Sequence, residues 1–435
     1  MQRTINKVAV IGAGTMGAGI AGACAMAGNG VVLLDMSSEL AEKAVQRLLG
    51  GRNPAISEEA AARIHCGAID ADLGMVADCD WVCEAIIEDL ATKRDLFTRL
   101  EAVRKDGSII TTNTSGIPLR DIYAEMPGNV ARDIAVTHFF NPPHIMRLLE
   151  LVPGTQTDPD VTAALTDYCG KTLGKGVVNA KDTVNFIGNR IGCFWMLAGL
   201  HKAREAADNG VSMEEVDAAM SAPMGLPPTG LYGLVDLIGL DVMDFVGKNL
   251  KANLPAGDAG HDYVSFPEAE QSMMGAGQLG RKTGGGFYKL IRHDDGSKTM
   301  EVYDLRTREW RPAVQFELDE EHSDFTTLMF ADSELGKFSW DLMSAVFSYA
   351  ADLVPDISDD IVNVDRAMRW GFNWAQGPFE MIDAIGARAF AEKLEGEGRA
   401  IPKMVAALLD SDNASFYRDG QFFSVDGSYQ TTPAE

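Results

Sequence analysis

A histidine and a glutamate twelve residues apart are the side chains of this chain best suited to exchanging protons. His138 lies near the end of an apolar segment, Ile134–Phe139, that is predicted to be a strand, and Glu150 follows within a second apolar segment. A histidine titrates near neutral pH, and a neighbouring carboxylate fixes its tautomer and stabilises the imidazolium. A histidine on an apolar strand is more often a satisfied core residue, so the rest of the sequence must decide between the two interpretations.

The N-terminal segment has the pattern of a dinucleotide-binding unit. A short apolar strand, KVAVI, runs into GAGTMG (residues 12–17) and then into a helix of small residues. Gly12 permits a tight turn, Gly14 lets the backbone approach a pyrophosphate, and Gly17 lets the helix pack closely on the strand. Asp35, eighteen residues after Gly17, is expected to accept hydrogen bonds from the adenosine ribose and to repel the additional phosphate of NADP. The segment therefore predicts a Rossmann-type site for NAD.

Polar residues also follow two other predicted strands. Glu88 follows the segment 81–85, and Ser115 follows the segment 108–112. Ligands bind at the carboxyl ends of parallel strands, so we expect Glu88, Ser115 and His138 at one edge of a sheet. Ser115 alone would be a helix cap with equal probability. Three polar groups at one edge favour a functional interpretation over a structural one.

The charge balance argues against several kinds of partner. Asp and Glu number 63 against 38 Lys and Arg, which gives a net charge of −25. Nucleic acids and anionic membranes bind basic surfaces, so neither is expected as a partner. The N-terminus passes into a strand without a signal peptide, and no apolar run is long enough for a membrane span. The six cysteines include no CxxC pair, which predicts reduced core thiols in a cytoplasmic protein without a metal site.

A series of motifs resembles the L-3-hydroxyacyl-CoA dehydrogenase family, in the form with a duplicated C-terminal helical domain found in multifunctional fatty-acid β-oxidation proteins. In chain order these motifs are GAGTMG, Asp35, EAIIEDLATK, TNTSGIPL, THFFNPPHIMRLLELVPG, DTVNFIGNRI and GRKTGGGFY. The resemblance implies NAD-dependent oxidation of (S)-3-hydroxyacyl-CoA to 3-ketoacyl-CoA in fatty-acid β-oxidation. It also implies an acyl-CoA substrate, with enoyl-CoA hydratase and thiolase as candidate partners.

The same resemblance assigns roles to individual residues. It implies that His138 is the general base and Glu150 its orienting carboxylate, and that Ser115 and Asn189 hold the C3 oxygen of the substrate. It places Glu88, Lys93 and Asn113 beside the nicotinamide half of the cofactor. The implied cofactor-binding residues are Gly12, Gly14, Thr15, Met16, Gly17, Asp35, Glu88, Lys93 and Asn113.

One segment departs from the family pattern. In the DTVNFIGNRI motif, the family usually has Pro and Gly directly after the Asp-Thr pair. In this chain Val184 and Asn185 occupy those two positions. We expect this change to remove a rigid turn and to make the position of Asn189 less certain.

A helical pattern occurs twice in the remainder of the chain, at a separation of about 147 residues. Residues 216–220, 230–236 and 287–288 match residues 364–368, 377–383 and 416–417. Lys337 stands in the second copy where Asn189 stands in the first, so the second copy is predicted to be structural. In relatives with one copy this domain forms the dimer interface, and two copies in one chain could form a pseudo-dimer.

The predicted fold is an α/β Rossmann-type doubly wound domain at the N-terminus, followed by two repeated all-α domains. The predicted boundaries are 1–183 for the NAD-binding domain, 184–290 for the first helical domain, 291–320 for a hairpin and linker, and 321–435 for the second helical domain.

Two alternatives to the acyl-CoA activity stay open. One keeps the chemistry but acts on a hydroxy acid without CoA, such as a sugar acid, as in the related L-gulonate dehydrogenases. The other is a non-catalytic NAD-binding scaffold, against which the intact set of His138, Glu150, Ser115 and Asn189 argues.

Overall fold

A computed structural model describes residues 3–435, with the side chain of Asn129 excepted. The chain divides into two compact units. The first unit ends at Ile187 and also contains residues 356–359 and 434–435. The second contains residues 188–355 and 360–433. Among the described residues no helix combines the length and apolar character needed to cross a membrane.

The first unit is built on one sheet, which has eight strands within the described residues. Its strands are β1 (Lys7–Ile11), β2 (Gly30–Asp35), β3 (Ile64–Ala68), β4 (Trp81–Glu84), β5 (Ile109–Thr112), β6 (Ile134–Phe139), β7 (Leu148–Pro153) and β8 (Gly176–Asn179). The strand order is β3-β2-β1-β4-β5-β6-β7-β8, and every neighbouring pair is parallel except β6 with β7. This arrangement confirms the predicted Rossmann-type fold, because the order reverses beside β1 and places a crevice at the strand ends.

Helices accompany this sheet along the chain. They are α1 (Thr15–Met26), α2 (Ser38–Leu49), α3 (Glu58–Ala61), α4 (Ile69–Asp72), α5 (Leu90–Val103), α6 (Leu119–Tyr123), α7 (Gly128–Ala131) and α8 (Pro159–Asp167). The strands β1, β4 and β6 are almost entirely buried, as expected where a sheet is covered on both faces.

The sequence of residues 38–75 predicts two helices separated by Asn53-Pro54, and this prediction is wrong in its second part. α2 is present, but Ile64–Ala68 forms β3, which pairs with β2 at the edge of the sheet. Ile64 is buried and His65 is exposed, which is the alternation of an edge strand. A strand of five residues that includes a glycine is too short to distinguish from a helix by periodicity.

The second unit contains the helical domains expected after the Rossmann-type domain. Its helices are α9 (Gly188–Asp208), α10 (Met213–Ala219), α11 (Gly230–Ile238), α12 (Leu240–Asn253), α13 (Glu268–Gly275), α14 (Phe325–Phe330), α15 (Glu334–Leu353), α16 (Ile361–Gly371), α17 (Pro378–Ile385), α18 (Ala387–Gly396) and α19 (Lys403–Asp410). We call residues 188–312 of this unit the first copy, and residues 321–355 with 360–433 the second copy.

Each copy also ends in a small antiparallel sheet that the sequence prediction did not include in full. The first copy has β9 (Tyr288–Arg292), β10 (Lys298–Asp304) and β11 (Glu309–Pro312), and the second has β12 (Tyr417–Arg418), β13 (Gln421–Phe423) and β14 (Tyr429–Thr431). The predicted hairpin is the β9–β10 pair, and it begins three residues before the predicted boundary at 291.

Matched aspartates anchor the two copies in the same way. In the first copy the Asp236 carboxylate accepts hydrogen bonds of 2.7 Å from both backbone N–H groups of the Phe287–Tyr288 dipeptide. In the second copy Asp383 accepts bonds of 2.6 and 2.8 Å from the Phe416–Tyr417 dipeptide. The residues that match in sequence therefore make the same contacts, which supports a duplication.

The long helix of the first copy packs against the second copy. A Cβ atom on Gly199 of α9 would lie 3.4 Å from Leu342 of α15. A Cβ atom on Gly192 would lie 2.0 Å from the ring of Phe372, so only glycine fits at that contact. Close packing at these two points ties α9 to the second copy.

Candidate active site

His138 and Glu150 face each other across an antiparallel strand pair. The register of β6 and β7 places His138 directly opposite Glu150, and residues opposite each other in a sheet project from the same face. The Nδ1 atom of His138 lies 2.6 Å from Oε2 of Glu150. Glu150 is fully buried and His138 is 6% exposed, so the pair is shielded from water.

A second contact holds the glutamate. Oε1 of Glu150 accepts a 3.0 Å hydrogen bond from the backbone N–H of Ile187, so each carboxylate oxygen has a partner. The ring of His138 packs edge-on against Phe140 and Phe186, with ring centroids 4.7 and 5.6 Å away. These contacts fix the imidazole and direct Nδ1 towards the carboxylate, which leaves Nε2 as the nitrogen available to a ligand.

The segment that supplies Phe186 and Ile187 contains a left-handed turn. Asn185 has φ +59° and Phe186 has φ +51°. Asparagine enters this region more readily than other residues except glycine, so Asn185 substitutes for the family's glycine here. The expected loss of a turn at Val184 and Asn185 is therefore wrong: a turn is formed, although it is held in a conformation that few side chains favour.

The turn after β5 ties together the ends of three adjacent strands. Asn113 donates its backbone N–H to the carbonyl of Glu84 at the end of β4 (2.8 Å). Its side-chain Oδ1 accepts a 2.9 Å hydrogen bond from the backbone N–H of Phe139, which follows His138 in β6. Asn113 thus fixes the position of the β6 backbone next to His138.

A buried lysine lies between two glutamates. Lys93 is 1% exposed and its Nζ lies 2.7 Å from Oε1 of Glu84 and 3.4 Å from Oε2 of Glu88. Glu84 is fully buried, and its Oε2 has no hydrogen-bond partner among the described residues. A buried charge requires pairing, and the cluster has one cation for two carboxylates.

Glu88 also organises the turn that carries Ser115. Its Oε1 accepts hydrogen bonds from the hydroxyl of Thr114 (2.5 Å) and from the backbone N–H groups of Ser115 (3.1 Å) and Gly116 (2.8 Å). Burial opposes ionisation of Glu88, but the charge of Lys93 and these hydrogen bonds outweigh it and lower the pKa of the carboxyl. Glu88 is therefore a stable anion that holds the Ser115 turn.

The hydroxyl of Ser115 is not used as a helix cap. The following helix, α6, begins at Leu119, and its first two backbone N–H groups donate to the carboxylate of Asp182. Within residues 3–435 no hydrogen bond involves the Ser115 hydroxyl. Ser115 is partly exposed. Its hydroxyl is thus available to a ligand at the carboxyl edge of the sheet.

The glycine turn has the geometry that a dinucleotide requires. Gly12 has φ +104°, and a Cβ atom there would lie 2.5 Å from the carbonyl oxygen of Ala85. A Cβ atom on Gly17 would lie 1.8 Å from the carbonyl oxygen of Gly12, whereas one on Gly14 would meet nothing within 4 Å. Two glycines are thus needed for packing, and Gly14 borders open space at the N-terminus of α1, where backbone N–H groups bind phosphate.

Asp35 lies at the end of β2 beside this turn. Its carboxylate accepts hydrogen bonds from the backbone N–H groups of Ala13 (2.5 Å) and Met36 (2.7 Å). A carboxylate has about four acceptor positions, so capacity for ribose hydroxyls remains. Thr15 is exposed on the first turn of α1, and Met16 packs against the core of the sheet. The residues present fit NAD.

Asn189 belongs to the second unit, where it is half-buried on the first turn of α9. The adjacent Arg190 is 2% exposed. Five of the predicted site residues therefore lie at the ends of adjacent strands in the first unit, namely His138, Glu150, Asn113, Glu88 and Ser115. Asn189 belongs to the second unit.

Sequence reasoning missed two residues of this site. Glu84 is the buried partner of Lys93. The sequence feature that could have indicated it is an acidic residue at the end of the apolar strand Trp81–Glu84. Phe186 contacts the ring of His138 only because of its left-handed backbone, for which the sequence holds no clear signal.

The sheet carries a glycine turn, an acid at the end of the next strand and a buried His–Glu pair. These features are typical of NAD-dependent oxidoreductases. Residues 7–183 match the model of the 3-hydroxyacyl-CoA dehydrogenase NAD binding domain, and residues 186–290 match the C-terminal domain of the same enzymes. The chain belongs to the 3-hydroxyacyl-CoA dehydrogenase family, and its cofactor is NAD.

Individual relatives extend the match. A probable 3-hydroxyacyl-CoA dehydrogenase of Deinococcus radiodurans is 37% identical over 70% of this chain and 89% of its own. A putative fatty acid oxidation complex trifunctional enzyme of Rickettsia felis is 36% identical over 88% of this chain and 53% of its own. The crystal structure of 3-hydroxybutyryl-CoA dehydrogenase from Escherichia coli K12 superposes with a TM-score of 0.71 at 25% identity, covering 94% of this chain and 99% of that one. The chain spans little more than half the length of several curated relatives that it matches over most of its own length.

Proposed function

We propose that this chain catalyses the NAD-dependent oxidation of (S)-3-hydroxyacyl-CoA to 3-ketoacyl-CoA in fatty-acid β-oxidation. The observation that carries the proposal is the buried His138–Glu150 pair, in which Nδ1 of the histidine lies 2.6 Å from Oε2 of the glutamate. The same sheet carries the NAD-type glycine turn. The names of the relatives from Deinococcus radiodurans and Escherichia coli, which specify 3-hydroxyacyl-CoA and 3-hydroxybutyryl-CoA, support the substrate class.

His138 acts as the general base. Oxidation of a secondary alcohol requires that the hydroxyl lose its proton while a hydride leaves the same carbon, and bound NAD⁺ accepts that hydride. Nδ1–H of His138 donates to Glu150, so Nε2 takes the hydroxyl proton. The imidazolium that forms is stabilised by the buried carboxylate. In the reverse direction the imidazolium returns the proton to the substrate oxygen.

Ser115 and Asn189 hold the substrate oxygen by neutral hydrogen bonds. The Ser115 turn is fixed by Glu88, which is itself held by Lys93. Positioning of this kind lowers the barrier because the reacting carbon is presented in one orientation. Glu88, Lys93 and Asn113 border the nicotinamide half of the cofactor site, and Gly12, Gly14, Thr15, Met16, Gly17 and Asp35 hold the adenosine and pyrophosphate half.

A substrate comparison tests the proposal. NADH consumption is measured with acetoacetyl-CoA and with free acetoacetate, and NADH formation is measured with a sugar acid and NAD⁺. We expect turnover of the CoA ester and little turnover of the other two. Turnover of the sugar acid instead would favour the activity on hydroxy acids without CoA. Binding of NADH without turnover of any compound would favour the scaffold.

Substitution of the base tests the mechanism. His138→Gln is expected to lower kcat by roughly 10²- to 10⁴-fold, the usual contribution of a general base, while NADH binding is retained. His65→Gln, at an exposed position of β3, is the matched control and should leave kcat unchanged. A His138→Gln variant with normal kcat would remove this residue from the mechanism.

We further propose that the protein works in the cytoplasm with an enoyl-CoA hydratase and a thiolase. The trifunctional relative of Rickettsia felis supports such partners. The six cysteines are free, and burial raises the pKa of the Cys24, Cys83 and Cys193 thiols to about 12. Unreactive, unpaired thiols suit a reducing compartment.

A further inference from the structure

A tyrosine of the second copy reaches a buried arginine at the start of the first copy's long helix. Nε of Arg190, on the first turn of α9, donates a 2.5 Å hydrogen bond to the hydroxyl of Tyr349 on α15. The same arginine pairs with Asp258 of the first copy, and the Tyr349 hydroxyl donates to that carboxylate at 2.9 Å. The three groups form a closed triangle in which every side chain bonds both others.

This triangle is buried and rigid. The side chains of Arg190 and Asp258 are 2% and 7% exposed, and Tyr349 is 6% exposed. The Tyr349 ring stacks on Phe194, one turn further along α9, with centroids 4.1 Å apart and planes 17° apart. Asp258 is held in turn by the backbone N–H of Gly260 (2.8 Å). Hydrogen bonds to charged groups in such surroundings are strong and leave little freedom.

We propose that Tyr349 is a positioning residue for the substrate-binding Asn189, acting through Arg190. The inference rests on the proposed function, in which Asn189 holds the substrate oxygen. It gives the second copy a part in the reaction, although its own helix carries Lys337 where the first copy carries Asn189.

The helix geometry links the two neighbours. The first turn of a helix lacks internal hydrogen bonds for its N–H groups, so it frays unless side chains hold it. α9 begins at Gly188, and Asn189 and Arg190 are both in that first turn. Successive residues of a helix have a fixed angular separation. An anchored Arg190 therefore fixes the direction in which Asn189 projects. Loss of the Tyr349 hydroxyl removes a side-chain partner that holds this arginine and leaves the ion pair with Asp258.

The first variant to make is Tyr349→Phe, which keeps the ring stacked on Phe194 and removes only the hydroxyl. We expect kcat with acetoacetyl-CoA to fall roughly 10-fold, since small displacements of a positioning group have large effects on rate. Tyr263→Phe is the matched control, because its ring also contacts Phe194, at 5.5 Å, and none of the described residues hydrogen-bonds its hydroxyl. This control should keep full kcat.

A double-mutant cycle separates positioning from general stability. If Tyr349 acts through Asn189, then Tyr349→Phe lowers kcat by less than about 2-fold in an Asn189→Ala background, whereas its effect on Tm is the same in both backgrounds. Equal fold-losses of kcat in the two backgrounds would overturn the inference. Asp258→Asn, which keeps an acceptor for Gly260 but removes the charge that faces Arg190, is a second route to the same test if the tyrosine variant does not fold.

The cycle also distinguishes two kinds of failure. If the wild-type chain binds NADH but does not turn over acetoacetyl-CoA, the proposed function fails, and the inference that rests on it fails with it. If the wild type is active and the cycle is additive, the proposed function stands and the role of Tyr349 fails.

Discussion

The two helical copies keep the same internal anchors but differ at the start of their long helices. Asp236 and Asp383 each bind two consecutive backbone N–H groups at 2.6–2.8 Å. At the start of α9 stands Asn189, half-buried beside a buried arginine. At the matching position of α15 stands Lys337, exposed and paired with Glu334 at 3.0 Å. The copies thus share the contacts that the fold requires, and only the first carries the asparagine that is proposed to hold the substrate oxygen.

The segments that precede the two long helices also differ, in their backbone conformation. Four residues before Lys337, Ser333 has φ −86° and caps α15 by accepting the N–H of Gly336 at 3.0 Å. Four residues before Asn189, Asn185 has φ +59°. An ordinary cap is sufficient where a helix only packs. Strained backbone is kept where it supplies groups to a site, and here it supplies Phe186 and Ile187 to the His138–Glu150 pair.

The largest difference between the copies is expected in activity. Asn189→Ala should lower kcat by roughly 10²-fold, the usual effect of removing one hydrogen-bond donor to a reacting oxygen. Lys337→Ala should leave kcat unchanged, because the lysine is exposed and its ion pairs are with surface acids. Steady-state kinetics with acetoacetyl-CoA measure both. Equal losses from the two variants would mean that the second copy has a direct role in turnover.

The shared anchors predict equal losses of stability. Asp236→Ala and Asp383→Ala each leave two backbone N–H groups without an acceptor, and each such group costs about 1–3 kcal/mol when buried. We expect each variant to lose about 2–6 kcal/mol of unfolding free energy, measured by urea unfolding of the full chain. A large loss from one variant and none from the other would contradict the equivalence of the two copies.

The site could be predicted from sequence where spacing alone determines geometry. The glycines at 12, 14 and 17 have local roles, and the structure shows the tight packing expected at two of them. The spacing of His138 and Glu150 did not by itself show that they would pair. They meet because β7 runs antiparallel to β6, in a register that places the two residues opposite each other.

Contacts between distant segments could not be predicted in the same way. β3 is a short edge strand whose pattern also fits a helix. The bond from Ile187 to Glu150 depends on a left-handed turn at residues 185–186, and that from Tyr349 to Arg190 joins residues 159 positions apart. Hydrophobic periodicity reports on burial within one element and contains no information about such pairs.

A buried acid on α13 of the first copy predicts a pH dependence of stability. Glu270 is fully buried, and neither of its carboxylate oxygens has a hydrogen-bond partner among the described residues. In the second copy the buried Asp365 has two, the backbone N–H of Phe379 (2.8 Å) and the hydroxyl of Tyr417 (2.6 Å). Replacement of the acid by its amide should therefore be favourable at Glu270. Burial also raises the pKa of Asp365, but there the amide would lose one of the two acceptor oxygens.

Burial raises the pKa of Glu270 to about 7, above the value of about 4.3 in an unfolded chain. The folded state thus keeps a proton that the unfolded state loses, so wild-type stability falls as the pH rises from about 4 to about 7. Glu270→Gln does not titrate and should gain up to about 3 kcal/mol relative to wild type above pH 7. Urea unfolding at about pH 5 and about pH 8 measures this gain, and Asp365→Asn should lose stability at both.

The smallest expected effects concern the segments that enter the two long helices. Asn185→Ala places an ordinary side chain in the left-handed region and should cost about 1 kcal/mol. Ser333→Ala removes a helix cap and a hydroxyl that lies 2.6 Å from Nε2 of the buried His322, and should cost about 1–2 kcal/mol. The unfolding midpoint of Ser333→Ala should therefore be equal to or below that of Asn185→Ala.

Their activities should nevertheless differ. Relaxation of the turn at Asn185 displaces the ring of Phe186 and the N–H of Ile187, which contact His138 and Glu150, so kcat should fall a few-fold in that variant and not in Ser333→Ala. Asn185→Gly keeps the left-handed backbone without strain and should restore kcat. If Asn185→Ala and Ser333→Ala had the same kcat, the unusual backbone would have no influence on the catalytic pair, and the contrast between the two helix entries would be one of packing alone.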